Sequence, residues 1–216
     1  MLNLLEIKGC IVTIDAMGCQ KKIVNKIIVD KEADYVISLK GNQGNLHNDV
    51  RLFFETAIKD NFNGVSFDTY VTVDGDHGRI ETRKYYIVSD IDWLEGKDNW
   101  KNLKTIGMVI SERDVNGKVS IENRYFICSI NADAKLFAKA VRGHWEIENK
   151  VHWVLDIAFR EDESRMRKGH SASNFSVVRH IALNMLRHDA TLKCGIKNKR
   201  LNAAWDNEYL LKVLGF

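Results

Sequence analysis

Two short apolar runs, "GCIVTIDA" (9–16) and "DYVISLKGNQG" (34–44), bracket the amphipathic stretch "QKKIVNKIIVDKE" (20–32). The runs are rich in β-branched residues and lack polar alternation, which predicts strands buried on both faces, as in parallel sheets. Between them Ile23, Val24, Ile27 and Ile28 recur at helical spacing. Strand, helix and strand within about thirty residues form a βαβ unit with parallel strands. A second amphipathic helix follows in "NLHNDVRLFFETAIKD", with Leu46, Val50, Phe53, Phe54 and Ala57 on one side.

The period then changes. Residues 65–130 alternate with period two, and "VDGDHG" and "DVNGK" are turn signals between strands. Helical spacing returns from Leu136 to about Phe159. It continues in "ASNFSVVRHIALNMLRHD", with Ser173 or Asn174 as N-cap, and in the terminal "NEYLLKVL". The expected organisation is an α/β part (1–64), an antiparallel β-rich portion (65–131) and a helical part (132–216). No apolar run reaches the roughly 20 residues of a membrane-spanning helix, and "MLNLLEIKGC" does not have the pattern of a signal peptide. Four scattered cysteines without CxxC spacing fit a reduced, cytoplasmic setting and argue against a cysteine zinc site. Net charge is +3, yet residues 165–200 hold nine Lys or Arg against one acid, Asp189. That concentration favours an anionic partner, nucleic acid first.

Two acids sit in unusual places. On a helical wheel of about 100° per residue, with Phe137 at 0°, Glu148 falls near 20°, within the stripe of Val141, Val151, Leu155 and Phe159. Glu146 falls near 180° and reads as a surface charge. His144 and His152 lie one turn either side of Glu148. An inward carboxylate is costly unless paired, protonated or metal-bound. Asp15 closes the first buried strand, at the end where open α/β sheets gather ligands. Each acid also has an ordinary alternative: a helix N-cap for Asp15 and a salt bridge for Glu148. Together, and beside a basic segment, they suggest carboxylates that hold a divalent cation for phosphate chemistry.

The segments "TIDAMGCQ", "DYVISLKGNQG", "DHGRIETR", "GHWEIENKVHWVLDIAFREDESRMRKGH" and "ALNMLR" closely resemble, in order from about residue 5 to 190, the H-repeat-associated (RHS-element-linked) transposases of bacterial insertion sequences. Those proteins belong to the DDE transposase group. The resemblance implies a ribonuclease-H-like core with a β-rich insertion before its last acidic helix. It also implies Mg²⁺, with Mn²⁺ as the alternative ion, held by three carboxylates in a two-ion site for DNA cleavage and strand transfer. By that resemblance Asp15 is the second acid and Glu148 the third, both catalytic and metal-binding. The first acid of the family lies on an earlier strand, and only Glu6 precedes Asp15 here. The expectation is therefore a partial core, lacking its first strand region and inactive alone. The alternative is a DNA-binding remnant that competes with an active transposase. The implied partner is double-stranded DNA, at transposon ends and target, in the bacterial nucleoid; a homodimer is compatible with this reading and not required by it.

Further candidates surround the two acids. Lys40, at the end of the second strand, is a candidate for DNA phosphate, or belongs to an ordinary polar turn. Arg79 and Arg83 share a strand face with Glu81, so they either contact DNA or pair with Glu81. The family's basic signature around the Glu falls on His144 and His152, both able to donate to phosphate. Arg165, Arg167 and Lys168 follow the acidic helix and suit backbone contacts. Trp145 and Trp153 read as packing residues. A zinc site on His144, Glu148 and His152 is a distant third reading, since HExxH-type spacing is absent.

Overall fold

A computed structural model describes residues 5–76 and 79–216, without the side chains of Asp76 and Glu148. The tip of the "VDGDHG" turn therefore lies outside the described residues. The chain forms two compact units, Met1–His144 and Trp145–Phe216.

The first unit is a mixed six-stranded sheet, in the order β1-β2-β6-β5-β4-β3. Strand β1 (Ile11–Ile14) pairs in parallel with β2 (Asp34–Leu39), Ile11 opposite Asp34 and Ile14 opposite Ile37. Helix α1 (Lys21–Asn25), prolonged by a π-turn over Lys26–Asp30, makes the crossover. The period-two segment becomes two long hairpins, β3 (Phe67–Asp76) with β4 (Arg79–Val88), and β5 (Thr105–Val115) with β6 (Lys118–Cys128). The β5–β6 turn is Asn116-Gly117, both at positive φ (53° and 80°), the geometry that an Asn-Gly hairpin favours. Strand β6 then runs antiparallel to β2, Val36 opposite Cys128. The β-rich segment thus extends the α/β sheet and shares its core.

One face of this sheet packs on α1 and on α2 (Asn45–Lys59), with Tyr35, Ile37, Leu39, Ile106 and Ile127 meeting Val24, Ile27, Val50 and Phe54. The other carries α3 (Ala134–Ile147), whose Ala134, Phe137, Ala138 and Val141 cover Val36, Tyr85, Ile87, Val109 and Phe126. Phe137 lies on Gly107, where an added Cβ would come within 2.5 Å of the ring. Strand β1 is at the end of the order, half-buried along its length, with one edge unpaired by any described strand. A cavity of about 390 Å³ runs beside it, lined by Ile11, Thr13, Leu136, Ala140 and Gly143.

The helical periodicity from Leu136 to Phe159 is not one α-helix. A π-turn over Glu148–His152 separates α3 from α4 (Trp153–Phe159), so residues beyond it leave the wheel position that 100° per residue assigns. In the second unit Leu155 and Ala158 are buried, whereas Trp145 (41%) and Trp153 (61%) are exposed, contrary to the packing role expected of them.

Helix α5 (Ser171–His188) begins ahead of the expected Ser173 or Asn174 cap. Gly169, at φ +54°, turns the chain, and Ser171 N–H donates to the Lys168 carbonyl, which starts the helix early. Helices α6 (Ile196–Trp205) and α7 (Asn207–Leu214) complete the unit, α7 capped by Asp206. Lys199 is buried and donates to the Leu186 carbonyl (3.1 Å) and to the Asp189 carbonyl. The Asp189 carboxylate accepts from the Thr191 hydroxyl and from Tyr209 (2.8 Å), and pairs with Lys199 (3.4 Å).

These bonds, that from Thr191 foremost, hold the Asp189 carboxyl well below the usual carboxylate range. A depressed native pKa contributes stability above the unfolded value of about 3.9, and that stability is lost as pH falls below it. Asp189→Asn is therefore expected to lower the thermal midpoint at pH 7 and to flatten its decline between about pH 4 and pH 2. Circular dichroism melts across that range check the sign; an unaltered acid limb would remove Asp189 from the account.

Candidate active site at the strand ends

Asp15 follows β1 directly, in extended conformation, and caps a short 3₁₀ turn over Ala16–Gly18. Its Oδ1 accepts from Met17 N–H at 3.0 Å. The ordinary capping role foreseen for this residue is thus present. One carboxylate oxygen serves it, and among the described residues the other makes no hydrogen bond. The turn folds tightly back on its strand: a Cβ at Gly18 would sit 2.2 Å from Ile14 Cγ2, so only glycine fits there.

The neighbouring strand ends in a matching turn. Lys40 precedes a 3₁₀ turn over Gly41–Gln43. Asn42 Nδ2 donates to the Ala16 carbonyl (2.7 Å) and Gln43 Nε2 to the Cys19 carbonyl (2.6 Å). Two side-chain amides from the β2 end therefore fasten the turn that carries Asp15. In the sequence Asn42 and Gln43 are simply polar residues of the turn that follows Lys40. The signal was the pair of amides immediately beyond a buried strand parallel to the one that ends in the acid. Lys40 itself is exposed. Its charge reaches Glu122, whose carboxyl is held low chiefly by a bidentate bond from Arg124 (2.8 and 2.7 Å) and in smaller part by Lys40.

The other candidates separate. Arg79 is exposed at the start of β4. Arg83 is 9% exposed, pairing with Asp74 and with Glu81 (2.6 Å), and Glu81 also meets Arg113 (3.4 Å). Of the two roles left open for Arg83, the geometry supplies ion pairing, and its buried guanidinium is not offered to a phosphate. Glu146 is exposed and pairs with Lys150 (2.9 Å). Glu148 opens the π-turn; its side chain lies outside the described residues. His144 is half-buried, with Nδ1 buried and without a hydrogen-bond partner among the described residues, whereas His152 is exposed. Asp15 belongs to the first compact unit and Glu148 to the second. Arg165, Arg167 and Lys168 are exposed on the loop between α4 and α5, where Arg167 also donates to the Ser164 and Met166 carbonyls (3.1 and 3.0 Å).

Two of the nine cations of the basic segment have internal roles. Arg179 is 9% exposed, pairs with Glu161 (3.4 Å) and lies over Phe175; Lys199 is the buried tie described above. The thiols offer no nucleophile near the strand ends, because burial pushes Cys19 up to about 12. Among the described residues no three His, Cys, Asp or Glu side chains gather as a metal site. Asp15 does suit Mg²⁺ chemically, since that ion takes one or two carboxylates and keeps several waters.

An exposed aspartate at the end of a parallel strand, held by amides from the next strand, marks the class of α/β proteins whose ligands bind at strand C-termini. Within that class the chain belongs to the transposase DDE domain family, whose model matches residues 1–185. "Putative transposase YncI" of Escherichia coli O157:H7 is 43% identical over 219 residues, covering 99% of this chain and 55% of that protein. "H repeat-associated putative transposase YhhI" of Escherichia coli (strain K12) is 40% identical over 220 residues, covering 99% of this chain and 57% of that protein. The chain thus spans a little over half the length of these relatives. No helix among the described residues is long and apolar enough to cross a membrane.

Proposed function

We propose that this chain is part of the catalytic region of an insertion-sequence transposase, with a ribonuclease-H-like core that is partial in this chain, acting on DNA in the bacterial cytoplasm. The observation that carries this reading is Asp15, at the end of β1 in a turn fastened by the Asn42 and Gln43 amides, with one carboxylate oxygen that meets no donor among the described residues. Asp15 and Glu148 are the carboxylates we assign to Mg²⁺, or Mn²⁺. When bound, the ion polarises the phosphodiester and lowers the pKa of the attacking water. Lys40, Arg79, Arg165, Arg167 and Lys168 are exposed cations suited to backbone phosphates, and His144 and His152 are donors near the acidic helix.

The open edge of β1 and the cavity beside it support the partial-core reading. An unpaired edge on an apolar strand of parallel type invites a further strand. In the proposed arrangement that strand brings the remaining carboxylate beside Asp15. The division 1–64, 65–131 and 132–216 stays as a functional proposal: strand-end site, sheet extension, acidic helix with basic helices. The second reading is a DNA-binding remnant that competes with an active transposase.

Fluorescence anisotropy with a short duplex tests the shared part of both readings. The expected result is binding whose logarithm falls linearly with log salt, with no strand cleavage by this chain in Mg²⁺. Failure to bind at 50 mM salt would remove the DNA partner, and cleavage by the chain alone would overturn the partial-core reading. Mg²⁺-dependent cleavage by a longer chain that adds a strand and a carboxylate before residue 1 would decide for the transposase over the remnant.

A further inference from the structure

A cavity of about 490 Å³ opens in the first unit between α3 and the outermost strand, β3. Tyr70 and Thr72 line it from the sheet; Asp133, Lys135, Lys139 and Arg142 line it from the helix and its approach. The three cations follow i, i+4, i+7 spacing along one flank of α3, adjoining its buried face of Phe137, Ala138 and Val141. All three are exposed, and none has an ion pair among the described residues. Asp133, the one acid of the lining, is engaged in capping Leu136 N–H (2.8 Å).

A row of exposed cations by itself is an ordinary solvated helix face. The floor of the cavity is what points to a ligand. Thr72 Oγ1, on the sheet side of the cavity, and the Tyr85 hydroxyl behind it are buried neighbours that interact with each other, and among the described residues neither has any other hydrogen-bond partner. Tyr85 is fully buried, and Arg142 contributes to the electrostatic surroundings of its hydroxyl. Two hydroxyls that bond to each other leave one proton without an acceptor, and a buried donor left so costs roughly 1–3 kcal/mol, so the pair beneath a cationic rim calls for one acceptor.

We infer that this cavity is a docking groove for the DNA sugar–phosphate backbone, with Lys135, Lys139 and Arg142 meeting phosphates of one strand and the Thr72 hydroxyl donating to a phosphate oxygen. The inference rests on the proposed DNA partner and adds where on the sheet the strand runs. Seven helical residues at 1.5 Å each separate Lys135 from Arg142 by about 10.5 Å along α3, a length over which one DNA strand, rising about 3.4 Å per nucleotide along the duplex axis, presents several phosphates. None of these three cations belongs to the basic segment 165–200, so the groove is a second contact region.

Salt titration of duplex binding, followed by anisotropy, tests the groove. Lys135→Gln/Lys139→Gln/Arg142→Gln should reduce the slope of log K against log salt by about 2.7, from roughly 0.9 per phosphate contact, and weaken binding at least tenfold in low salt. A variant of equal charge change, Lys21→Gln/Lys22→Gln/Lys59→Gln, should keep the parent slope; an equal loss in both variants would overturn the groove by showing diffuse attraction. Thr72→Val should weaken binding with the slope unchanged, and parental affinity in that variant would remove the hydroxyl from the contact. All six charge substitutions are at exposed positions, and unchanged circular dichroism melts establish that the variants are folded. Absence of binding by the parent chain would overturn the DNA partner and the groove together. Parental binding with an unaltered slope in the α3 variant would overturn the groove alone.

Discussion

Phe137→Ala is expected to destabilise the first unit by about 3–5 kcal/mol, the usual result of emptying a fully buried aromatic site. The ring has no exposed surface and packs edge-on against Tyr85 and Phe126, at centroid distances of 6.2 and 5.3 Å. Gly107 sits directly beneath it, and a Cβ there would approach three ring atoms at 2.5, 2.8 and 3.0 Å. Gly107→Ala should therefore cost about 1–3 kcal/mol by overpacking, since the two neighbouring rings leave Phe137 little room to move. The double variant is the sharper test. Once the ring is gone the new methyl occupies part of the cavity, so the two costs should fall short of additivity by about 1 kcal/mol or more. Urea unfolding of the four proteins measures this, and strict additivity would show that Gly107 and Phe137 do not share the contact that seats α3 on the sheet.

Asp15→Asn, made in a longer chain that cleaves DNA, should lower Mg²⁺-dependent cleavage about a thousandfold. Loss of a metal-bound carboxylate forfeits several kcal/mol of transition-state stabilisation, and each 1.36 kcal/mol is a factor of ten. The asparagine oxygen can still accept from Met17 N–H, so the 3₁₀ cap and the thermal midpoint should persist. Asp15→Ala removes the cap as well and should cost about 1 kcal/mol of stability besides. The pair thus separates a structural from a chemical role. A cleaving Asp15→Asn protein would return Asp15 to its capping function and end its assignment as a metal ligand.

Much of the scaffold could be read along the chain because its signals are local. β-branched apolar runs marked β1 and β2, the Asn116-Gly117 pair marked a hairpin turn, and alternation marked the strands of the sheet extension. Asp15 was legible as a strand-end acid, and Glu146 as a surface charge. The strand-end turn was less legible. Asn42 and Gln43 look like ordinary turn residues until β1 and β2 lie side by side and their amides reach the Ala16 and Cys19 carbonyls. The helical wheel failed beyond Glu148 for a backbone reason: a π-turn adds residues to one turn, and apolar spacing does not report it.

The sequence alone therefore determined which segments become strands and helices, which faces are apolar, and which acid ends an apolar strand. These follow from side-chain type and period, properties of neighbours in the chain. Only the tertiary structure decided that β1 is half-buried, at the end of the sheet, that β6 pairs with β2, so that one continuous sheet carries both parts, and that Arg83, Arg179 and Lys199 are internal ties rather than free cations. A cation's role depends on which distant acid or carbonyl the fold brings within reach, and no local pattern encodes that distance.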